Sequence, residues 1–225
     1  MPAHLRLSPV TDAVVTLTLS RPEKKNALSI ALRDEVTAAL GALAADAQVK
    51  VVVITGAGDT FSAGFDLGEF KQAAGDPEFR RRLWESSDRF HVACLGFPLP
   101  LVAAVNGPAI AGGFDLAVMC DLRIAARTAT FSHPEIAFGD VVYAPLHDLV
   151  GGAVARELCL TGRAVGAEEA LRLRLVSSVV PPGDLAAETS RVAAQITRAP
   201  REVLLRTKAK VIRRAAVAVG ATLDL

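Results

Sequence analysis

The chain has 225 residues, 51% hydrophobic and 22% charged, with 25 basic and 24 acidic side chains and a formal net charge of +1. That balance, with only 5% aromatic residues, argues against a protein built to bind nucleic acid or an anionic membrane, and the apolar content excludes disorder. A chain of this length buries roughly 70–75% of its unfolded surface, enough for one sizeable core. No apolar run approaches ~20 residues, so no transmembrane helix is expected. The opening Met1-Pro2-Ala3-His4 lacks the apolar stretch of a signal peptide. Cys94, Cys120 and Cys159 are odd in number and widely spaced, which fits neither a disulfide framework nor a zinc cluster; a cytoplasmic protein without a metal is expected.

In chain order, 5–10 and 14–19 read as two short strands of a hairpin turning at Thr11-Asp12. After the polar loop Arg21 to Asn26, the residues Leu32, Val36, Leu40 and Leu43 recur at helical spacing, with Ser29 available as a cap. Val51 to Ile54 is a continuous β-branched run ending in Thr55-Gly56, the pattern of a strand buried on both faces. A Gly-rich loop leads into a helix near Asp66-Leu67, and a second helix spans 78–95. Leu101 to Val105 is another buried strand. Gly112-Gly113 opens a helix to Met119, and 122–125 is again strand-like. Helices follow at 153–160, 167–173, 185–196 and 201–217, with one more strand at 175–180. This order predicts an α/β core. The repeated Gly-Phe-Asp-Leu, at 64–67 and 113–116, suggests two similar strand-to-helix elbows.

The first elbow fails as a dinucleotide fingerprint, because the third glycine of G-x-G-x-x-G falls on Phe61. Its value lies in the backbone. Amides in the first turn of a helix have no internal acceptor, and small residues let a ligand approach them. Two such elbows facing one another would offer two donors to one oxygen, the geometry of an oxyanion hole; tight turns alone would also explain the glycines. Asp115 sits in a first helical turn, where negative charge is favoured without any function. Glu135, among apolar neighbours after Pro134, has the setting of a carboxyl with a raised pKa. His133 and His147 read as ordinary loop histidines. The basic stretch 206–214 reads as an amphipathic helix with a solvated face, with contact to substrate phosphates as the second reading.

Several of these segments together resemble the crotonase (enoyl-CoA hydratase/isomerase) superfamily. They are Arg21-Pro22 with Asn26-Ala27-Leu28; Val53 to Gly56; Phe61 with Ala63-Gly64 and Asp66-Leu67; Ala104 to Gly107 with Ala109 and Gly112-Gly113; Cys120-Asp121; and Pro134-Glu135. Leu160-Thr161-Gly162 and Ala170 with Leu175-Val176 extend the match. The resemblance implies an α/β spiral of repeated β-β-α units over 1–180, a C-terminal helical region over 181–225 that is shorter than in the family, and a trimer or dimer of trimers. It implies acyl-CoA thioester substrates, as in fatty acid metabolism, with coenzyme A as part of the substrate and no further cofactor. The oxyanion amides would be those of Phe65 and Gly112. Lys24, Lys25, Ala27, Ala63, Gly64, Phe65, Asp66, Leu67, Gly68 and Gly112 would line the coenzyme A site.

Hydratases of the family use two glutamates, and here those positions hold Asp115 and Glu135. The aspartate is one methylene short, which sets its carboxylate back by about 1–1.5 Å. The Gly-rich turn after the second glutamate is replaced by a shorter Gly139 to Leu146 segment, in which Asp140 or Tyr143 is placed to fill the space of the attacking water. The leading expectation is hydration of 2-enoyl-CoA to 3-hydroxyacyl-CoA, with Glu135 exchanging a proton with substrate and Asp115 activating water. The first alternative is double-bond isomerisation by Glu135 alone. Further alternatives are a specialised decarboxylase or biosynthetic enzyme, and a non-catalytic acyl-CoA-binding subunit.

Overall fold

The computed structural model describes residues 4–215, 221 and 225. Its first strands, β1 (Leu5–Leu7) and β2 (Val14–Leu19), pair antiparallel. The first stops three residues short of the expected Val10, because Pro9 has no N–H to donate to a ladder. Helix α1 (Ile30–Ala45) begins where Ser29 Oγ accepts the Leu32 N–H, so the predicted cap is formed. Strand β3 (Val51–Gly56) is followed by α2 (Leu67–Gly75) and α3 (Pro77–Leu95), capped by Asp66 and Asp76 respectively. Next come β4 (Leu101–Val105), β5 (Ala109–Ile110), α4 (Gly112–Met119), β6 (Leu122–Ala126) and β7 (Thr130–Ser132). A 3-10 turn over Pro134–Ala137 leads to α5 (Ala144–Thr161), β8 (Val165–Gly166), α6 (Ala167–Arg172), β9 (Ser178–Val180), α7 (Leu185–Thr197) and α8 (Arg201–Arg214).

The large sheet has the order β1-β2-β3-β4-β6-β9, parallel everywhere except at the β1 edge. Its strands alternate between two apolar layers. Leu17, Val52, Ile54, Leu101 and Ala103 join the main core with Leu32, Val36, Leu40 and Phe90. Val51, Val53, Val102, Ala104 and Ile124 face the opposite way, onto Leu185 and Ala193 of α7. Both faces are covered, which is why β3 and β4 read as unbroken apolar runs.

A second sheet, β5-β7-β8, has three strands of two or three residues each. Strands this short leave no periodic signal. The helix expected from Ala153 begins nine residues earlier and carries a break at Gly151 (φ 77°, ψ 161°). The last strand is shorter than expected, starting at Ser178 rather than Leu175. Helix α8 ends at Arg214; Val217, where the sequence placed its end, lies outside the described residues.

Candidate functional site

The first elbow is fixed by a buried amide. Asn26, fully buried at a left-handed φ of 53°, donates its Nδ2 to Ala57 O (2.9 Å) and Thr60 O (2.7 Å), and its Oδ1 accepts the Arg21 N–H. The segment from Lys25 to Leu28 then runs beside 63–65: Ala63 N–H donates to Lys25 O and Leu28 N–H to Gly64 O. Gly64 has φ +85°, and a side chain there would lie 2.7 Å from Ile110 O and 2.9 Å from Ala111 Cβ. Only glycine fits this close approach of the two strand exits.

The second elbow turns at Ala111, whose φ of 52° and ψ of −128° are unfavourable for any residue with a Cβ. Its N–H is tied to Ser132 O, and its carbonyl accepts from Phe114 and Asp115 at the start of α4. The two elbows adjoin: a methyl on Gly64 would lie 3.0 Å from the Gly112 nitrogen, and one on Gly112 would lie 3.6 Å from the Phe65 nitrogen. Neither the Phe65 nor the Gly112 N–H is committed to an acceptor among the described residues.

The Phe65 ring covers Gly112 and is itself held from behind. The Arg33 guanidinium carbon lies 4.3 Å from the ring centroid, and Phe70 stacks at 6.2 Å. Arg33 is fully buried, with no ion pair among the described residues; it donates to Leu28 O, Leu83 O and Ser86 Oγ. Burial pulls its pKa down to about 10, against the fields of Glu69 and Asp34. The cation–π contact and the two carbonyls compensate the buried charge.

The carboxylates converge on a histidine. Asp115 comes from α4 and is 6% exposed; His133 leaves β7 and is 1% exposed; Glu135 sits in the 3-10 turn. His133 Nδ1 is 2.8 Å from Glu135 Oε1 and 3.7 Å from Asp115 Oδ1. With a carboxylate as acceptor, the Nδ1 nitrogen carries the proton, and it donates to Glu135. Asp115 Oδ1, His133 Nε2 and Glu135 Oε2 are buried without hydrogen-bond partners among the described residues. Burial pushes Asp115 up to about 7, with His133 opposing and Glu135 adding to the rise. His133 is raised: its own burial acts downward, but the hydrogen bond to Glu135 and the charge of both carboxylates outweigh it.

The remaining predicted residues separate into groups. Ala27 is buried, whereas Lys24, Lys25, Leu67 and Gly68 are exposed around the first elbow. Asp66 is occupied structurally, since it caps α2 through Gly68 N–H and pairs with Arg21 at 3.0 Å. The Gly-Phe-Asp-Leu echo does not give two equal elbows: Gly64 precedes its helix with a left-handed φ, whereas Gly113 lies inside α4 and Ala111 makes the turn. Asp140 is exposed, and Tyr143 packs at 5.4 Å against His147. Lys208 does not belong to a solvated face; it is buried and ion-paired to both oxygens of Asp121. Sequence reasoning set His133 aside as an ordinary loop histidine, whereas it is buried between the two carboxylates, and it passed over Arg33. The first had a signal, its i, i+2 spacing to Glu135 across a proline; the second, a single charge beside the apolar stripe of α1, had none.

Comparison with known proteins agrees with this architecture. The family profile described as enoyl-CoA hydratase/isomerase matches residues 10–223. A putative enoyl-CoA hydratase of Thermus thermophilus is 38% identical over 190 residues, covering 82% of this chain and 75% of that protein. The mitochondrial enoyl-CoA hydratase domain-containing protein 3 of Mus musculus is 33% identical over 201 residues, covering 88% of this chain and 67% of its own. Among solved structures, PA4980 of Pseudomonas aeruginosa superposes with a TM-score of 0.88 at 31% identity, over 96% of this chain and 94% of that one. The enoyl-CoA hydratase EchA8_6 of Mycobacterium marinum gives 0.83 at 34% identity, over 93% and 99%. With a matching profile over nearly its whole length and a shared α/β spiral, the chain belongs to the enoyl-CoA hydratase/isomerase family of the crotonase superfamily.

Proposed function

We propose that the chain hydrates 2-enoyl-CoA to 3-hydroxyacyl-CoA. The observation that carries the reading is the juxtaposition of two uncommitted amides, that of Phe65 just before α2 and that of Gly112 at the start of α4, the helix that also presents Asp115 towards His133 and Glu135. The thioester oxygen accepts both amides, and their hold strengthens as conjugate addition turns it into an enolate oxygen. Water adds to C3 and loses a proton to one carboxylate; C2 gains a proton from the other, and a new C–O and a new C–H bond replace the C2–C3 π bond. This reading exchanges the roles expected from sequence. Burial pushes Asp115 up to about 7, and its Oδ1 has no hydrogen-bond partner among the described residues, so in this reading it is the proton donor to C2. Glu135, fixed by His133, takes the proton from water.

Isomerisation is the second reading, favoured by the free Oε2 of a Glu135 that is anchored through Oε1, an arrangement that lets one carboxylate move a proton between carbons. Purified protein assayed side by side with 2-enoyl-CoA and 3-enoyl-CoA separates the two. Formation of the 3-hydroxyacyl product from the former supports hydration; conversion of the latter alone supports isomerisation. Glu135→Gln should abolish turnover by either route while leaving thioester binding in calorimetry nearly intact, because the amides remain. In the same reading the substrate is an acyl-CoA thioester without a further cofactor, the protein works in the cytoplasm, and it assembles as a trimer or hexamer.

A further inference from the structure

Two carboxylates placed in one buried site repel each other, and each prefers its neutral form unless a cation or a donor lies between them. Here the group between them is His133. Its ring is held by packing as well as by hydrogen bonding: the Phe114 ring lies at a centroid distance of 4.6 Å, and the 2.8 Å bond runs to Glu135 Oε1. Its main chain is equally confined, for Ile136 N–H donates to His133 O and a methyl on Gly162 would lie 2.9 Å from that oxygen. The titratable groups facing the ring are Asp115 from α4, Glu135 from the 3-10 turn and, beyond them, Cys159 from α5, which burial and the two carboxylates keep as a neutral thiol at about 11.

We propose that His133 positions and charge-balances the two carboxylates: its Nδ1–H anchors Glu135 through Oε1 so that Oε2 is the oxygen offered to substrate, and its ring, when protonated, is the cation beside Asp115. The inference rests on the acyl-CoA reading of the site. It follows from the one-sided geometry, in which a single N–H faces two acceptors at 2.8 and 3.7 Å. Loss of a proton from His133 removes the cation beside Asp115 and delays the ionisation of that carboxyl to higher pH. His133 touches no reacting atom in this scheme; it acts through its two neighbours.

The test uses His133→Gln, which keeps a side-chain N–H but cannot charge, and His133→Leu, which keeps neither. His133→Gln should lower kcat roughly 10- to 100-fold with KM for 2-enoyl-CoA changed by less than about threefold, and His133→Leu should lose more. The informative readout is the pH profile of kcat/KM, whose Asp115 limb should move about one unit to higher pH in His133→Gln. A profile superimposable on that of the wild type overturns the proposal, as does near-native kcat in His133→Leu. Should both variants fail to fold, nitrogen NMR of the wild-type ring decides the matter: a proton on Nδ1 in the resting protein supports the arrangement, and an Nε2 tautomer overturns it. A wild-type protein that turns over neither 2-enoyl-CoA nor 3-enoyl-CoA refutes the activity instead, a failure the NMR experiment keeps separate.

Discussion

Replacing Gly112 by alanine tests the proposed oxyanion site through a single methyl group. Gly112 has no positive φ, so the backbone accepts alanine without strain of its own. The new Cβ would lie 2.7 Å from Phe65 Cδ1 and 2.8 Å from Cε1, against an ordinary contact of 3.4 Å or more. About 0.7 Å must therefore be found at the junction between the two donors. The ring has little room to give, because Arg33 and Phe70 back it, so part of the displacement passes to the amides. A misplacement near 1 Å costs about 10²-fold in rate, and removal of one donor about 10²–10³-fold. Gly112→Ala should therefore lower kcat roughly 30- to 300-fold, with a smaller effect on the binding of a saturated acyl-CoA. Steady-state kinetics on 2-enoyl-CoA and calorimetry with the saturated thioester measure the two effects. Adding Phe65→Ala, which removes the obstructing ring and keeps the amide, should restore at least about tenfold of the loss. Wild-type turnover in the single variant, or no recovery in the double one, would refute the reasoning.

Asp115→Asn should change stability in a pH-dependent way. The folded-state value of about 7 is raised above the ordinary 3.8, so the penalty for burying the charge is absent below pH 4, grows between pH 4 and 7 and is complete above. The variant should match wild-type melting near pH 4 and exceed it above pH 7, by at most about 4 kcal/mol; a pH-independent difference would count against a buried, proton-holding carboxyl. Ala111→Gly relieves a backbone conformation that costs roughly 1–3 kcal/mol, less the ~0.5–1 kcal/mol of chain entropy that glycine adds. Scanning calorimetry should show a rise in Tm of a few degrees; a fall would mean that Ala111 is unstrained. Arg33→Lys cannot keep the forked set of hydrogen bonds to Leu28 O, Leu83 O and Ser86 Oγ and removes the flat contact with Phe65. Denaturant titration should show a loss of about 1–3 kcal/mol, accompanied by lower kcat/KM on 2-enoyl-CoA.

The parts of the fold that were legible before the structure are those written by repetition. The stripe Leu32-Val36-Leu40-Leu43 gave α1 with its Ser29 cap, and the β-branched run Val51 to Ile54 gave a central parallel strand. The small sheet β5-β7-β8 escaped because strands of two or three residues have no period, yet it holds Ala111 and leads the chain to His133. The site was legible as positions but not as chemistry. Asp115 and Glu135 stood out by type and order, whereas the imidazole between them is a contact made only when β7 and α4 come together. Arg33 was unreadable for the same reason: a guanidinium on an otherwise apolar face predicts exposure, and only the carbonyls of Leu28 and Leu83 with the Phe65 ring explain its burial.

The directions of the two uncommitted amides are set by main-chain torsions, at Gly64 with φ +85° and Ala111 with φ 52°. Electrophile capture and proton management are thereby written on separate parts of the polypeptide. In the proposed reading the side chains at the 115, 133 and 135 positions handle the protons, while main-chain amides hold the thioester oxygen. The same separation makes this scaffold a starting point for laboratory evolution, in which a handful of codons would be varied over an invariant peptide frame.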